Sequence, residues 1–289
     1  MPWAPWLAPW PGRQVLATLP RMNSLRIAFV GGGNMASALI GGLIQAGRPA
    51  ANIVVVEPFE AQRNKLAQSF GVLAQPAADQ SLAGAGLVVW AVKPQLFAEA
   101  AAPCAPYVGQ ALQLSVMAGV RSDTIVTASG SARVVRAMPN TPALIGQGIA
   151  GLYARPEVDS AARTQIEVMF EPTGRTLWVA QEDDLDAVTA LSGSGPAYVF
   201  YFLEAMMQAA AEMGLSEAQG RLLAQHTFAG ASALAMQSPL PPTQLREQVT
   251  SKGGTTHAAI SSLEASGVKA AFVRALHAAR DRAQALGRG

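Results

Sequence analysis

A short run of strand formers, Leu25 to Val30, ends abruptly in Gly31, Gly32 and Gly33, and a helix face follows at once. Met35, Leu39 and Leu43 recur there at every fourth position. Few chains combine these three parts, and the junction fixes what the first part of the fold can be. Gly31, Gly33 and Ala36 stand at the spacing G-x-G-x-x-A. The first glycine permits a tight turn, the second lets the backbone come close to a bound group, and a small third residue lets the helix pack on the strand. The N–H groups at the helix start then face an anion such as a pyrophosphate. Gly47 and Pro49 stop the helix, and Ile53 to Val56 supplies a second β-branched strand. With strand, helix and second strand in place the turn reads as a phosphate cradle; a tight turn that binds nothing is the plainer alternative.

The alternation continues. A polar helix is expected from about Phe59 to Ser69. Leu87 to Val92 reads as a buried strand closed by Lys93 and Pro94, and Leu112 to Val116 and Val134 to Ala137 as later strands. Buried strands alternating with helices call for a parallel sheet with right-handed crossovers. Near Gln181 the character changes, and from Leu185 onward the pattern is almost wholly helical. Pro196 to Met213 is apolar on more than one face, so it must be covered on nearly all sides. Burial against a partner subunit's helices is the expected solution.

Composition sharpens that point. Half of the 289 residues are hydrophobic and only 14% are charged, against about a quarter in an average soluble domain. Such a chain either crosses a membrane or hides surface against other subunits. The uncharged window Ile27 to Gly47 is long enough to span a bilayer, but glycines, Asn34, Ser37 and Gln45 interrupt it; Ala100 to Val120 is broken by Pro103, Pro106 and Gly109. The expectation is a soluble, cytoplasmic protein without membrane contact. A formal charge of +2 gives no field for nucleic acid. Cys104 is the only cysteine, which excludes a disulfide framework and reads as a small buried residue. His226, His257 and His277 form no metal-ligand pair, and no metal is expected. Met1 to Arg21, rich in tryptophan and proline, reads as a disordered extension ahead of a start at Met22, with an apolar arm docking on another subunit as the alternative. The expected divisions are therefore residues 1–22, 23–181 and 182–289.

Glu57 ends the second strand, 24 residues past Gly33. A carboxylate there would hydrogen-bond ribose hydroxyls and repel a 2′-phosphate, which favours NADH. Arg63 and Lys65 follow closely and could receive that phosphate, so the residues leave NADPH and NADH evenly matched. Far downstream, TSKGGTT before a helix would make a carboxylate cradle with a hydroxyl added; a capping turn is the plainer reading, since Thr and Ser are common N-caps.

Five blocks carry a family resemblance: IAFVGGGNMASALIGGL, VVWAVKPQ, RAMPNTPALIGQG, LSGSGPAYVFYFLEAM and QLREQVTSKGGTTHAAISSLE. In this order they resemble pyrroline-5-carboxylate reductase over about Arg26 to Leu286. The resemblance implies a Rossmann-like α/β dinucleotide-binding domain followed by an all-α helical dimerisation domain, with dimers in some members assembled into larger rings. It implies reduction of the cyclic imine 1-pyrroline-5-carboxylate to L-proline, the last step of proline biosynthesis, with NADPH and NADH as the alternative donors. By position, Gly31 to Met35, with Asn34 among them, would hold the pyrophosphate. Ala91, Val92, Lys93 and Pro94 would line the cofactor, Ala118 and Gly119 would flank it, and Asn140 would lie near the nicotinamide. Ser251, Gly253, Gly254, Thr255 and Thr256 match the substrate loop, and Thr256 the threonine that hydrogen-bonds the ring nitrogen. Ala36 replaces a common glycine. Lys252 stands where many members have proline, and reads as solvated, with added attraction for the carboxylate as the alternative. Glu57 is unusual for a member that prefers NADPH.

The chemistry is coherent apart from the name. A carbonyl substrate usually needs a general acid to protonate the forming alkoxide, whereas an imine that arrives protonated needs mainly a hydroxyl partner and good positioning. β-Hydroxyacid dehydrogenases share the layout and resemble this chain at Gly193, Ser194 and Gly195, but their catalytic lysine would follow on the next helix. Here Pro196, Ala197, Tyr198 and Val199 follow, and the first lysine after the turn is Lys252. A non-catalytic NAD(P)-binding protein is the third reading.

Overall fold

The computed structural model describes residues 25–288, so the expectation for the N-terminal extension lies outside the described residues. The described chain falls into two compact units: residues up to Ser192 together with those from Ala283 onward, and Gly193–Arg282.

The first unit is built on one sheet. Its strands are β1 (Ile27–Val30), β2 (Ile53–Val56), β3 (Ala74–Gln75), β4 (Leu87–Trp90), β5 (Leu112–Ser115), β6 (Val134–Met138), β7 (Gly148–Ala154) and β8 (Gly174–Trp178), in the spatial order β3-β2-β1-β4-β5-β6-β7-β8. Every neighbouring pair is parallel except β6 with β7. Helices α1 (Asn34–Gln45), α2 (Glu60–Phe70), α3 (Phe97–Ala101), α4 (Ala105–Val108), α5 (Ser122–Ser129), α6 (Ser160–Phe170) and α7 (Asp184–Val188) connect or cover the strands.

Alternation of side chains explains why β1 is apolar at every position. Ile27 and Phe29 pack with Leu39, Leu66 and Phe170 on one face, while Ala28 and Val30 pack with Trp90, Phe97 and Ile125 on the other. A parallel sheet covered on both faces has no polar side to spare. One buried polar cluster is fully occupied: the Trp90 indole N–H donates to Gln113 Oε1 at 2.9 Å, and the Gln113 amide donates to the carbonyls of Val108 and Ala111. Cys104 lies in the same core as a small buried residue, with burial pushing its thiol up to about 11.

The first unit extends past Gln181 because Leu185 is buried and Val188 covers the bare backbone of Gly151 on β7. The link into α7 carries a buried ion pair, Arg136 to Glu182 at 2.9 Å. Glu182 also accepts from the Ser122 backbone N–H at 2.7 Å and from its hydroxyl at 2.8 Å. Burial alone would push the Glu182 carboxyl up; the bonds from Ser122 and Arg136 outweigh it and hold the group below its usual range.

The second unit comprises α8 (Gly195–Glu212), α9 (Glu217–Gln237), α10 (Pro242–Gln248), α11 (Thr255–Ala265) and α12 (Val268–Arg288) as far as Arg282. Ser216 and Gln219 form a capping box that starts α9. The Cβ of Ala210 would lie 2.9 Å from one added at Gly220, so α8 and α9 approach closely there. Tyr198 and Phe202 each set a ring edge-on to Phe272 at 5.7 Å. Only Ala210, Gly220 and Ala224 are buried in this unit. Phe200, Tyr201, Leu222, Leu223 and Leu234 stand more than half exposed. Four helices and part of a fifth with three small buried residues have almost no core of their own, which is the apolar surplus seen in the composition.

A carboxyl held low stabilises the fold above its ordinary range and loses that contribution as pH falls through its lowered value. Glu182→Gln is therefore expected to cost roughly 3 kcal/mol at neutral pH, the scale of a broken buried pair, and to flatten the loss of thermal stability on acidification. An unchanged melting temperature at pH 7 would show that the pair contributes nothing.

Candidate functional site

The described candidate cofactor residues all lie where parallel strands of the first unit end. Gly31 follows β1 with φ of +97°. Its N–H donates to the Val56 carbonyl at 2.8 Å, and an added Cβ would lie 2.6 Å from the Ala91 carbonyl oxygen. This position therefore admits glycine alone. Gly33 is the N-cap of α1 and makes no side-chain cap; an added Cβ there would meet nothing within 4 Å. The first turn of α1 holds no acidic residue, Gly33 and Asn34 are exposed, Met35 is half-buried, and Ala36 is buried against the strand. An open, uncapped helix start free of carboxylates in its first turn fits a pyrophosphate.

The middle peptide of the turn is gripped from the side. Glu57, 6% exposed, accepts from the Gly32 N–H through Oε2 at 2.8 Å and from the Phe59 N–H through Oε1 at 2.9 Å. Gln62 on α2 donates to the Gly32 carbonyl and, at 3.4 Å, to the Ser37 hydroxyl. The carboxylate thus ties the β1–α1 turn to the β2–α2 turn, a structural duty that sequence analysis did not foresee; its contact with ribose is a proposal. Arg63 lays its guanidinium on the carbonyls of Glu57, at 3.0 Å, and Pro58, at 2.6 Å, while Lys65 is exposed.

Beyond β4, the Ala91 N–H donates to the Val30 carbonyl at 2.8 Å. Ala91 and Val92 are half-buried, and Lys93 and Pro94 are exposed at the start of a 3-10 turn. Ala118 and Gly119 follow β5, both half-buried, with Gly119 at φ +77°. Asn140 follows β6, and both ends of its amide are engaged: Nδ2 donates to the Ser192 carbonyl at 3.2 Å and Oδ1 accepts from the Ile149 N–H at 3.0 Å. In the order β3-β2-β1-β4 the chain reverses between β1 and β4, and the carboxyl ends of strands at such a switch point are where open α/β sheets take their ligands.

The candidate substrate residues belong to the second unit. Ser251, Gly253 and Thr255 are exposed, and Gly254 and Thr256 half-buried. Gly253 takes φ +76°. Gly254 donates its N–H to the Ser251 carbonyl at 3.0 Å, and an added Cβ would stand 2.8 Å from Ser251 Oγ. The N-cap of α11 is Gly254, with no side-chain cap. Neither Ser251 nor a threonine hydroxyl caps the helix start, so its first N–H groups have no side-chain cap, a condition that a carboxylate cradle needs. His257 is exposed on α11, as are Lys252 before it and His226 and His277 elsewhere. Among the described residues no group of three or more His, Cys, Asp or Glu could hold a metal ion, and no helix is long and apolar enough to cross a membrane.

Gln62 and Glu182 escaped the sequence analysis. Their partners lie 30 and 46 to 60 positions away, and nothing local marks them.

A mostly parallel sheet with an uncapped glycine turn at its switch point defines a Rossmann-like dinucleotide-binding protein. The family model for pyrroline-5-carboxylate reductase dimerisation matches residues 182–286, and that for NADP oxidoreductase, coenzyme F420-dependent, matches residues 26–119. The pyrroline-5-carboxylate reductase of Pseudomonas aeruginosa is 42% identical over 267 residues, covering 92% of this chain and 98% of its own. That of Haemophilus influenzae is 40% identical over 268 residues, with the same coverage of both chains. The structure of a pyrroline-5-carboxylate reductase from Coxiella burnetii matches with a TM-score of 0.84 at 36% identity, covering 91% of this chain and 98% of that one. Plasmodium falciparum pyrroline carboxylate reductase, solved with NADP bound, matches at 0.83 and 28% identity, covering 92% and 99%. The chain belongs to the pyrroline-5-carboxylate reductase family.

Glutamine at position 57 can accept through one atom only, so either Gly32 or Phe59 loses its partner. Glu57→Gln is expected to lower the melting temperature and to weaken NADH and NADPH by the same few-fold factor, the net scale of about one ordinary hydrogen bond. Fluorescence titration with both nucleotides checks this; a gain in NADPH affinity relative to NADH would restore ribose reading as the main role of Glu57.

Proposed function

We propose that this chain reduces 1-pyrroline-5-carboxylate to L-proline with NADPH, NADH serving as a second donor, and so closes proline biosynthesis. The observation that carries the reading is the uncapped Ser251–Thr256 turn in a chain that matches whole reductases end to end. NADPH as donor is supported by the NADP-bound relative and by the Arg63 guanidinium beside β2, which offers charge to a 2′-phosphate. A homodimer is supported by the dimerisation model over residues 182–286 and by the sparse core of the helical unit. A ring of dimers and a cytoplasmic location belong to the same reading.

When bound, the nicotinamide supplies a hydride. Gly31, Gly33, Asn34 and Met35 would hold the pyrophosphate, with Glu57 bracing the turn. Ala91 to Pro94, Ala118 and Gly119 would line the remainder, and Asn140 would fix the loop after β6 near the nicotinamide. The backbone N–H groups of Gly253, Gly254 and Thr255, with the Ser251 hydroxyl, would receive the substrate carboxylate. Thr256 would accept from the N–H of the protonated imine. As the imine carbon gains hydride, the C=N pair moves onto the ring nitrogen and neutralises its charge, so the protein need not deliver a proton in that step. A lysine acid on the helix after Gly195 is therefore unnecessary, which separates this chemistry from carbonyl reduction.

The purified protein should oxidise NADPH or NADH when pyrroline-5-carboxylate is supplied, followed at the nicotinamide absorbance. Turnover of keto or hydroxy acids in its place would overturn the reading. Thr256→Ala should lower kcat roughly 10- to 100-fold, the worth of one hydrogen bond to a charged group, with NADPH affinity unchanged. Arg63→Ala should raise the KM for NADPH roughly tenfold more than that for NADH, a difference of about 1.4 kcal/mol; equal changes would remove Arg63 from phosphate recognition.

A further inference from the structure

The loop after β5 is anchored at both ends. Met117 and Val120 are buried, and the Met117 N–H donates to Ser115 Oγ at 3.2 Å. Arg121 reaches Asp183 at 2.6 Å, and Ser122 is held by Glu182. Between these anchors, Gly119 rests against Leu286 near the C-terminal end of α12. A Cβ added to Gly119 would lie 3.2 Å from both the Cβ and the carbonyl oxygen of Leu286, and one added to Gly287 would lie 3.6 Å from the Gly119 carbonyl oxygen and 3.7 Å from Arg121 Cδ. The absence of a side chain at Gly119 thus lets the backbone of Leu286 come close to it, whereas at Gly287, in the last turn of α12, an added Cβ would make only ordinary contacts. Ala283, one turn earlier, is buried in the same unit.

We propose that the C-terminal turn of α12, Ala283 to Gly287, is a positioning element of the dinucleotide site: its backbone backs the Ala118–Gly119 loop and fixes where that loop meets the cofactor. The inference rests on the reading that Ala118 and Gly119 flank NAD(P)H. β5 neighbours β4, the strand at the switch point, so a loop leaving its carboxyl end lines the ligand crevice. Gly119, at φ +77°, has no side chain with which to hold its own place. A backbone support from the chain's last turn supplies what the loop lacks, and the middle of the loop would relax without it. The C-terminal residues would then govern affinity for the cofactor although none of them is required to touch it.

The test is a double-mutant cycle on the full chain, with NADPH affinity by fluorescence titration, steady-state kinetics and melting temperature read for each protein. The four proteins are the wild type, Gly119→Ala, a chain ending at Ala285, and the combination. The shortened chain should bind NADPH at least fivefold more weakly, with its KM for pyrroline-5-carboxylate unchanged and a melting temperature showing that it is folded. Gly119→Ala should weaken binding severalfold in the full-length chain and by a factor at least three smaller in the shortened one, because the crowding with Leu286 is gone. Strictly multiplicative losses, or a folded shortened chain that binds NADPH as the wild type does, would overturn the proposal. A wild type that binds neither NADPH nor NADH would instead overturn the cofactor reading on which it rests.

Discussion

The first unit depends on the absence of a side chain at Gly31. Its Cα stands so close to the end of β4 that a Cβ would press on the Ala91 carbonyl, while its N–H closes onto the carbonyl that ends β2. One residue therefore pins the ends of three adjacent strands together, at the point where the order of the sheet reverses. The turn leads into a start of α1 that is bare of side-chain caps and of first-turn acids. Glu57 and Gln62 then hold the Gly32 peptide by its N–H and its carbonyl. Gly32 itself has little freedom, since a Cβ there would meet Leu66 at 2.8 Å.

The helical unit follows a different economy. Its buried set of three small residues cannot stabilise five helical segments, because a helix bundle draws its stability from a packed apolar face rather than from propensity. The exposed aromatics and leucines of α8 and α9 are the surface that a dimerisation domain requires. The proposed chemistry asks for positioning above all: a protonated imine is already electrophilic, and the candidate loops offer backbone N–H donors and hydroxyls rather than strong acids. Effective molarity from positioning can supply several kcal/mol of barrier reduction, and rigid, glycine-bound loops are suited to that task.

Much of this was legible in the sequence. The five predicted strands and the helices after Gly33, Phe59 and Ser194 lie within about two residues of their observed bounds, since uniformly apolar runs closed by glycine or proline leave little choice of period. β3, only two residues long, was not read, nor were β7 and β8. GIAGLYA carries glycine and alanine where β-branched residues would signal a strand, and GRTLW alternates so that only partial burial results. The antiparallel turn from β6 to β7 was invisible for the same reason. Among the candidate residues, the glycine turn after β1 and the Ser251–Thr256 turn were readable as patterns because the backbone demands glycine at Gly31 and Gly253; their contact with ligands is a proposal. The duty of Glu57 was not, because a carboxylate at the end of β2 suits ribose and Gly32 equally well until the distance is known. The support of Gly119 by Leu286 joins positions on opposite sides of the helical unit in sequence, beyond any local signal.

The central claim is that these loops would hold NADPH where it could supply its hydride to the imine carbon of pyrroline-5-carboxylate. The most direct measurement uses NADPH carrying deuterium at the transferred C4 position and analyses the product by mass spectrometry and NMR. The account predicts L-proline with one deuterium, on the former imine carbon. Proline formed without deuterium, or label appearing in any other substrate-derived acid while pyrroline-5-carboxylate is left unchanged, would contradict it.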